Sequence, residues 1–184
     1  MSIRDTIIRI VGHHNLSEDD TASAMHEIMT GVATPAQVAA FLTAMHLKGE
    51  TAAEIAGMAR VMREHALRVD VAPGAVDTCG TGGDGAGTFN ISTIAAFVAA
   101  GAGVTIAKHG NRAMSSRCGS ADVLEGLGVN IELEPHEVAQ RIRTQRFGFM
   151  FAPRFHPAMR FAGPVRREIG IRTAFNLIGP LTNP

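Results

Sequence analysis

The sequence has no tryptophan and no tyrosine, and its nine phenylalanines are its only large aromatic residues. A surface that stacks nucleobases on aromatic rings is therefore not an obvious option. There are only two cysteines, Cys79 and Cys118, and they form no CxxC pair or metal-spaced cluster. At most one disulfide could close, so a disulfide-framework domain is excluded and a reducing compartment fits. Net charge is absent too: 17 Lys and Arg balance 17 Asp and Glu over 184 residues. A general nucleic-acid coat would need a basic excess. The start, MSIRDTIIRIVGHHN, lacks the basic beginning, apolar run and small-residue cleavage site of a secretory signal. The longest weakly polar run, Ile94 to Ala107, contains Gly101, Gly103 and Thr105. It falls short of the roughly 18 apolar residues that a membrane span requires. The chain reads as soluble and cytoplasmic.

What is present is enough apolar material, 46% of residues, for a packed core. Residues 1–70 carry helix signals. Ser17 opens a helix whose Ala22, Met25, Ile28 and Met29 share a face, and Gly31 closes it. Thr34-Pro35-Ala36-Gln37 opens the next, which runs to Gly49, with Pro35 where its missing N–H costs nothing. Thr51-Ala52-Ala53-Glu54 is a further capping box, and residues 3–14 complete a set of four short helices. Their methionines are core fillers.

After Val71-Ala72-Pro73-Gly74 the texture changes to short β-branched segments alternating with helical ones. Strands are expected at Val76–Cys79, Val104–Ala107, Val129–Glu132 and Phe147–Phe151, with helices at Ile91–Ala100, Ser120–Leu127 and Pro135–Gln145. Such alternation predicts an α/β fold with a mostly parallel sheet and ligands at the C-terminal strand ends. We expect a helical domain over 1–70, with the helices around 156–176 as candidates to pack on it. Residues 71–184 would form the front part of an α/β domain. The neutral total hides an acidic first part (six basic, nine acidic residues over 1–70) and a basic second part (eleven and eight over 71–184).

Two loops carry the chemistry. Gly80-Thr81-Gly82-Gly83-Asp84-Gly85 follows a predicted strand and leads to Asn90, Ser92 and Thr93 at a helix start. Glycines bring backbone N–H groups within reach of an anion, and a helix N-terminus adds a favourable dipole. Alone this reads as an ordinary glycine turn; it fits neither the P-loop nor GxGxxG cleanly. Lys108-His109-Gly110-Asn111-Arg112, continuing to Arg117, would place three cations and no acid in a loop after the second strand. Together the two loops favour a phosphate site. His109 ranks as a hydrogen-bond donor or scaffold above a general base, and the cysteines as small buried residues. No clear catalytic base is present. The terminal run from Arg172 to Pro184 has no binding role legible from its residues alone.

In order along the chain stand DTCGTGGDG (77–85), NIST (90–93), KHGNRAMSS (108–116), GSADVLEGLG (119–128), HPAMR (156–160) and PVRREIGIRTAFNLIGPLTNP (164–184), with KGET at 48–51. These runs resemble the anthranilate phosphoribosyltransferase family, within a wider group that includes the pyrimidine nucleoside phosphorylases, and the resemblance covers essentially the whole chain. It implies transfer of phosphoribosyl from 5-phosphoribosyl-1-diphosphate (PRPP) to the amine of anthranilate, releasing diphosphate, in tryptophan biosynthesis. Carried over by position, the PRPP site would be lined by Gly80, Gly83, Asp84, Thr88, Asn90, Ile91, Ser92, Thr93 and Ser120. Lys108, His109, Gly110, Asn111, Arg112, Ala113, Met114, Ser115 and Ser116 would complete it. Anthranilate would meet Gly80, Asn111 and Arg166, and Ser92 would be a ligand of Mg²⁺. Lys108 would stabilise the leaving diphosphate. The resemblance also implies a homodimer formed through the helical domain, and places an Asp-Glu metal pair beyond residue 184. The α/β domain is thus expected to be truncated at 184, the chain to have little activity alone, and apolar surface to be exposed. The alternatives are a pyrimidine nucleoside phosphorylase-like enzyme, disfavoured by loop order, and a non-catalytic relative binding nucleic acid through the arginine-rich 141–172 region.

Overall fold

The computed structural model describes residues 1–81, 87–113 and 118–184. They form two compact units: Met1–Ala66 with His156–Thr182, and Leu67–Phe155 with Asn183–Pro184.

The first unit begins with α1 (Ile3–Val11), α2 (Glu18–Met29), α3 (Pro35–Lys48) and α4 (Ala52–Glu64). Each start is locally encoded. The Ser2, Ser17, Thr34 and Thr51 side chains accept backbone N–H groups of the first turn, and Gln37 and Glu54 return the bond to complete capping boxes. Residues 12–14, expected to be helical, lie outside α1, where His13 turns to positive φ. Met25, Ile28, Phe41, Leu42, Met45 and Met58 are fully buried, and Val165, Phe175 and Ile178 from the 156–182 stretch join the same core. Each such side chain contributes roughly 1.5–3 kcal/mol through burial. α2 and α4 pack against each other. Gly57 permits this, because a Cβ there would overlap the Glu18 carbonyl. The later stretch adds α9 (Gly163–Ile169) and α10 (Phe175–Ile178), with 3₁₀ turns at Pro157–Arg160 and Gly179–Leu181.

One charged pair is buried in this unit. Glu54 accepts the Lys48 ammonium at 2.9 Å and the N–H groups of Thr51 and Leu16, both at 2.8 Å. Burial pushes the Glu54 carboxyl up, but Lys48 and the two N–H groups outweigh it and hold it below the usual range. KGET is therefore a structural clasp.

The second unit is α/β. It holds α5 (Ile91–Gly101), β1 (Ile106–Gly110), α6 (Ser120–Gly126), α7 (Pro135–Gln145), β2 (Phe147–Phe151) and α8 (Ala152–Phe155). β1 and β2 are parallel, with Ile106 opposite Phe147 and Gly110 opposite Phe151. Alternation along β2 splits the core: Met150 joins Val138, Ile142 and Phe155, while Phe149 and Phe151 join Ala121, Leu124 and Ile131. α5 leaves Ile91, Ile94, Phe97 and Val98 exposed. Among the described residues, no helix is long and apolar enough to cross a membrane.

Three expected strands come out differently. Val76–Cys79 is reduced to one parallel bridge, Val76 to Ile106. Side chains take over beyond it, with Asp77 accepting the Cys79 and His109 N–H groups. The second strand is Ile106–Gly110 and not Val104–Ala107, because its partner is Phe147–Phe151. Lys108 and His109 are thus strand residues, buried, and not part of an exposed loop. Val129–Glu132 forms no strand: the Asn130 side chain accepts the Glu132 N–H at 3.0 Å and turns the backbone there.

Candidate functional site

The α/β unit gathers the N-terminus of α5, the C-terminal end of β1, the segment Asp77–Gly80 and the start of α6. At the centre is Lys108, whose residue is only 1% exposed. Its Nζ donates to Thr78 Oγ1 at 3.3 Å and to Ser92 Oγ at 3.5 Å. Thr78 Oγ1 in turn donates to the Ser92 carbonyl at 2.7 Å. Among the described residues Lys108 has no ion pair; its hydrogen-bond partners are these hydroxyls. Burial lowers its pKa, while the charges of Asp77 and Cys79 oppose that shift. Burial, and then the Asp77 charge, pushes the Cys79 thiol up, with Lys108 opposing. Cys79 is therefore kept protonated, which fits an inert residue and not a nucleophile.

The start of α5 carries no side-chain cap bond. Asn90 instead donates its Nδ2 to the Cys118 carbonyl at 3.1 Å, tying this helix start to the chain before α6. Helix N-terminal N–H groups left without a capping side chain attract anions. Ser92 is half-buried, Thr93 buried, and Gly80, Thr88 and Ile91 exposed.

After β1, Gly110 lies so close to Ser120 and Phe149 that no Cβ fits. The Asn111 carbonyl accepts Ser120 Oγ at 3.3 Å and the Ala121 N–H at 3.2 Å. Asp122 accepts the N–H groups of Ala113 at 2.9 Å and Gly119 at 2.7 Å, which ties these two residues to the start of α6. Those two bonds lower the Asp122 pKa. Arg112 does not face Lys108; it makes a two-point contact with Glu125 (2.6 and 3.2 Å) and sits over the Phe151 ring. His109 is buried. Gly83, Asp84, Met114, Ser115 and Ser116 lie outside the described residues.

Arg166 belongs to the helical unit. Its guanidinium lies over the Phe175 ring, 4.9 Å from the centroid, and its Nη2 donates to Asn176 Oδ1 at 3.5 Å. Burial pushes its pKa down. Among the described residues it has no acidic partner within ion-pair distance.

The arrangement suits a polyanion: one buried cation, two hydroxyls and an uncapped helix start. Among the described residues no cluster of three or more His, Cys, Asp or Glu could hold a metal ion. Ser92 Oγ offers one hard oxygen, which suits Mg²⁺ only if phosphate oxygens and water complete the shell. Thr78 and Asp122 were not singled out as site residues from the sequence. The spacing Gly119 to Asp122 is a helix-start signal that could have revealed the last of these.

Residues 72–184 match the model of the glycosyl transferase family a/b domain, and residues 4–66 match that of the family's helical bundle domain. Among curated proteins, the chain is 73% identical over 184 residues to an anthranilate phosphoribosyltransferase of Roseiflexus sp. (strain RS-1), covering all of this chain and 54% of that one. It is 70% identical to the protein of that name in Herpetosiphon aurantiacus, with the same coverage. Among solved structures it resembles anthranilate phosphoribosyltransferase from Thermus thermophilus, with a TM-score of 0.91, 51% identity, and coverage of 98% of this chain and 55% of that one. It also resembles the Saccharomyces cerevisiae anthranilate phosphoribosyltransferase in complex with PRPP and Mg, with a TM-score of 0.86, 32% identity, and coverage of 98% and 55%. The chain thus spans about half the length of the relatives it matches.

Proposed function

The chain belongs to the glycosyl transferase family, and from that premise we propose that it carries the PRPP-binding part of an anthranilate phosphoribosyltransferase. The observation that carries this reading is Lys108, a buried cation that faces Ser92 at the uncapped start of α5. In this reading Lys108 binds the diphosphate of PRPP and stabilises the charge that develops on it as the ribosyl bond breaks. The hydroxyls of Thr78 and Ser92, with the Asn90–Cys118 tie, orient the phosphates. Mg²⁺, when bound, would neutralise diphosphate charge; Ser92 Oγ would be this chain's ligand to it. The aromatic amine attacks in its neutral form, so no base is required of His109. Arg166 answers the anthranilate carboxylate, supported by its lack of an acidic partner among the described residues and by the flat Phe175 ring beneath it. The names of the similar proteins support this reading over the nucleoside phosphorylase and nucleic-acid alternatives. The reading extends to a cytoplasmic homodimer paired through the helical unit, where α1 and α3 leave Ile8, Val11 and Leu47 exposed.

The test is PRPP- and Mg²⁺-dependent loss of anthranilate fluorescence, followed in the protein at the length of its relatives. Arg166→Ala should raise the anthranilate KM at least tenfold while moving the PRPP KM by less than twofold. Equal effects on both would refute the role of Arg166, and no PRPP-dependent loss of fluorescence would refute the reading as a whole.

A further inference from the structure

We propose that Asn183 is a positioning residue that takes the place of a missing step in the sheet and thereby holds the phosphate-binding strand end in place; this rests on the reading of that end as a PRPP site. The parallel pairing beside β1 starts normally. The Val76 N–H donates to the Thr105 carbonyl at 2.9 Å, and the Ala107 N–H donates to the Val76 carbonyl at 3.0 Å. One step further, a regular parallel ladder would join the residue 78 N–H to the Ala107 carbonyl, and the His109 N–H to the residue 78 carbonyl. The structure substitutes side chains for both bonds. The Ala107 carbonyl accepts Asn183 Nδ2 at 3.1 Å, and the His109 N–H donates to Asp77 Oδ1 at 3.3 Å. The two side chains are joined: Asn183 Nδ2 also donates to Asp77 Oδ2 at 2.7 Å. Asp77 Oδ1 further accepts the Cys79 N–H at 2.9 Å.

One carboxamide and one carboxylate therefore span three chain segments. They release the backbone at Thr78 from the ladder, and its hydroxyl lies 3.3 Å from Lys108 Nζ. The chemistry requires an amide at 183. Its NH₂ has two hydrogens, one for a carbonyl and one for a carboxylate, whereas an ionised Asp would set two carboxylates against each other. Asn183 touches neither Lys108 nor Ser92 in any of these bonds, so it acts through Asp77. This gives a role to the last residues of the terminal run, which had none from sequence.

Three variants test the inference: Asn183→Asp, Asp77→Asn, and the double exchange Asp77→Asn/Asn183→Asp, which restores a donor facing a carboxylate. Amide hydrogen exchange by NMR is compared at His109, Cys79 and α7, and PRPP binding with Mg²⁺ is measured by calorimetry. Asn183→Asp should speed exchange at His109 and Cys79 at least tenfold, leave α7 unchanged, and weaken PRPP binding at least tenfold. The double exchange restores a donor between positions 77 and 183 but leaves the Ala107 carbonyl without one, so it should recover only part of both. Unchanged affinity, uniform acceleration that includes α7, or a double exchange no better than Asn183→Asp would each overturn the inference. If Asn183→Asp does not fold, a folded, PRPP-binding double exchange supports the pairing and an unfolded one refutes it. A wild-type protein at the length of its relatives that binds no PRPP marks failure of the functional reading, and the inference falls with it. Wild-type binding with unaltered variants marks failure of the inference alone.

Discussion

Replacing Lys108 by Met should stabilise the protein and disable its ligand site. The residue is 1% exposed, and its hydrogen-bond partners are two neutral hydroxyls at 3.3 and 3.5 Å. Such long bonds contribute about 1 kcal/mol each at most, while an ion removed from water costs several kcal/mol. The charge of Asp77 returns part of that cost. Met has similar length and flexibility and fills the same space. The balance predicts that Lys108→Met raises the unfolding free energy by about 1–2 kcal/mol at neutral pH. The sign of the pH dependence follows from the lowered Lys108 pKa. Below that lowered value both folded and unfolded lysine carry the proton, and the full penalty is present. Between it and the ordinary lysine value only the unfolded state stays protonated, so wild-type stability rises with pH. The advantage of Lys108→Met should therefore shrink as pH climbs toward the ordinary lysine value. Losing a charge-assisted bond to phosphate, about 1.5–3 kcal/mol, should weaken PRPP binding about tenfold to 150-fold. Urea unfolding at two pH values and calorimetry with PRPP check both. A variant destabilised by more than about 1 kcal/mol with unaltered PRPP affinity would refute the reasoning and make Lys108 a structural residue.

Two further predictions concern the supports of the fold and the site. Glu54→Ala removes the acidic partner of Lys48, whose side chain is only 4% exposed, and leaves the Leu16 and Thr51 N–H groups without their acceptor; urea denaturation should show a loss of about 3–5 kcal/mol. Asp122→Asn weakens the bonds that pin Ala113 and Gly119. Because the Asp122 pKa is lowered on folding, its contribution is present above the ordinary Asp value and lost as pH falls through the lowered one. The variant should therefore lose the wild type's acid-side decline in stability over that window, as read by unfolding at stepped pH.

The four N-terminal helices were legible because their signals are local. Ser17, Thr34 and Thr51 act on N–H groups three residues away, and the apolar positions repeat at the helical period. β2 was legible as a short apolar run between Arg146 and Ala152. The strand containing Lys108 was not, because Val104 and Thr105 are as strand-prone as Ile106 and Ala107. Only pairing with Phe147–Phe151 selects the later register. Hence a lysine that reads as one cation of an exposed basic loop is, in the fold, a buried one.

The sequence alone determined the helical start, the alternation of helices and strands that follows, and, through an ordered set of motifs, the chemistry to look for. Each of these is written in neighbouring residues or in their order. The tertiary structure alone decided that Lys108 is desolvated beside Thr78 and Ser92, that Arg112 is occupied by Glu125, and that Asp77 meets Asn183 across 106 residues of chain. Burial and long-range hydrogen bonds depend on which segments pack together, and local propensity does not encode such a partnership.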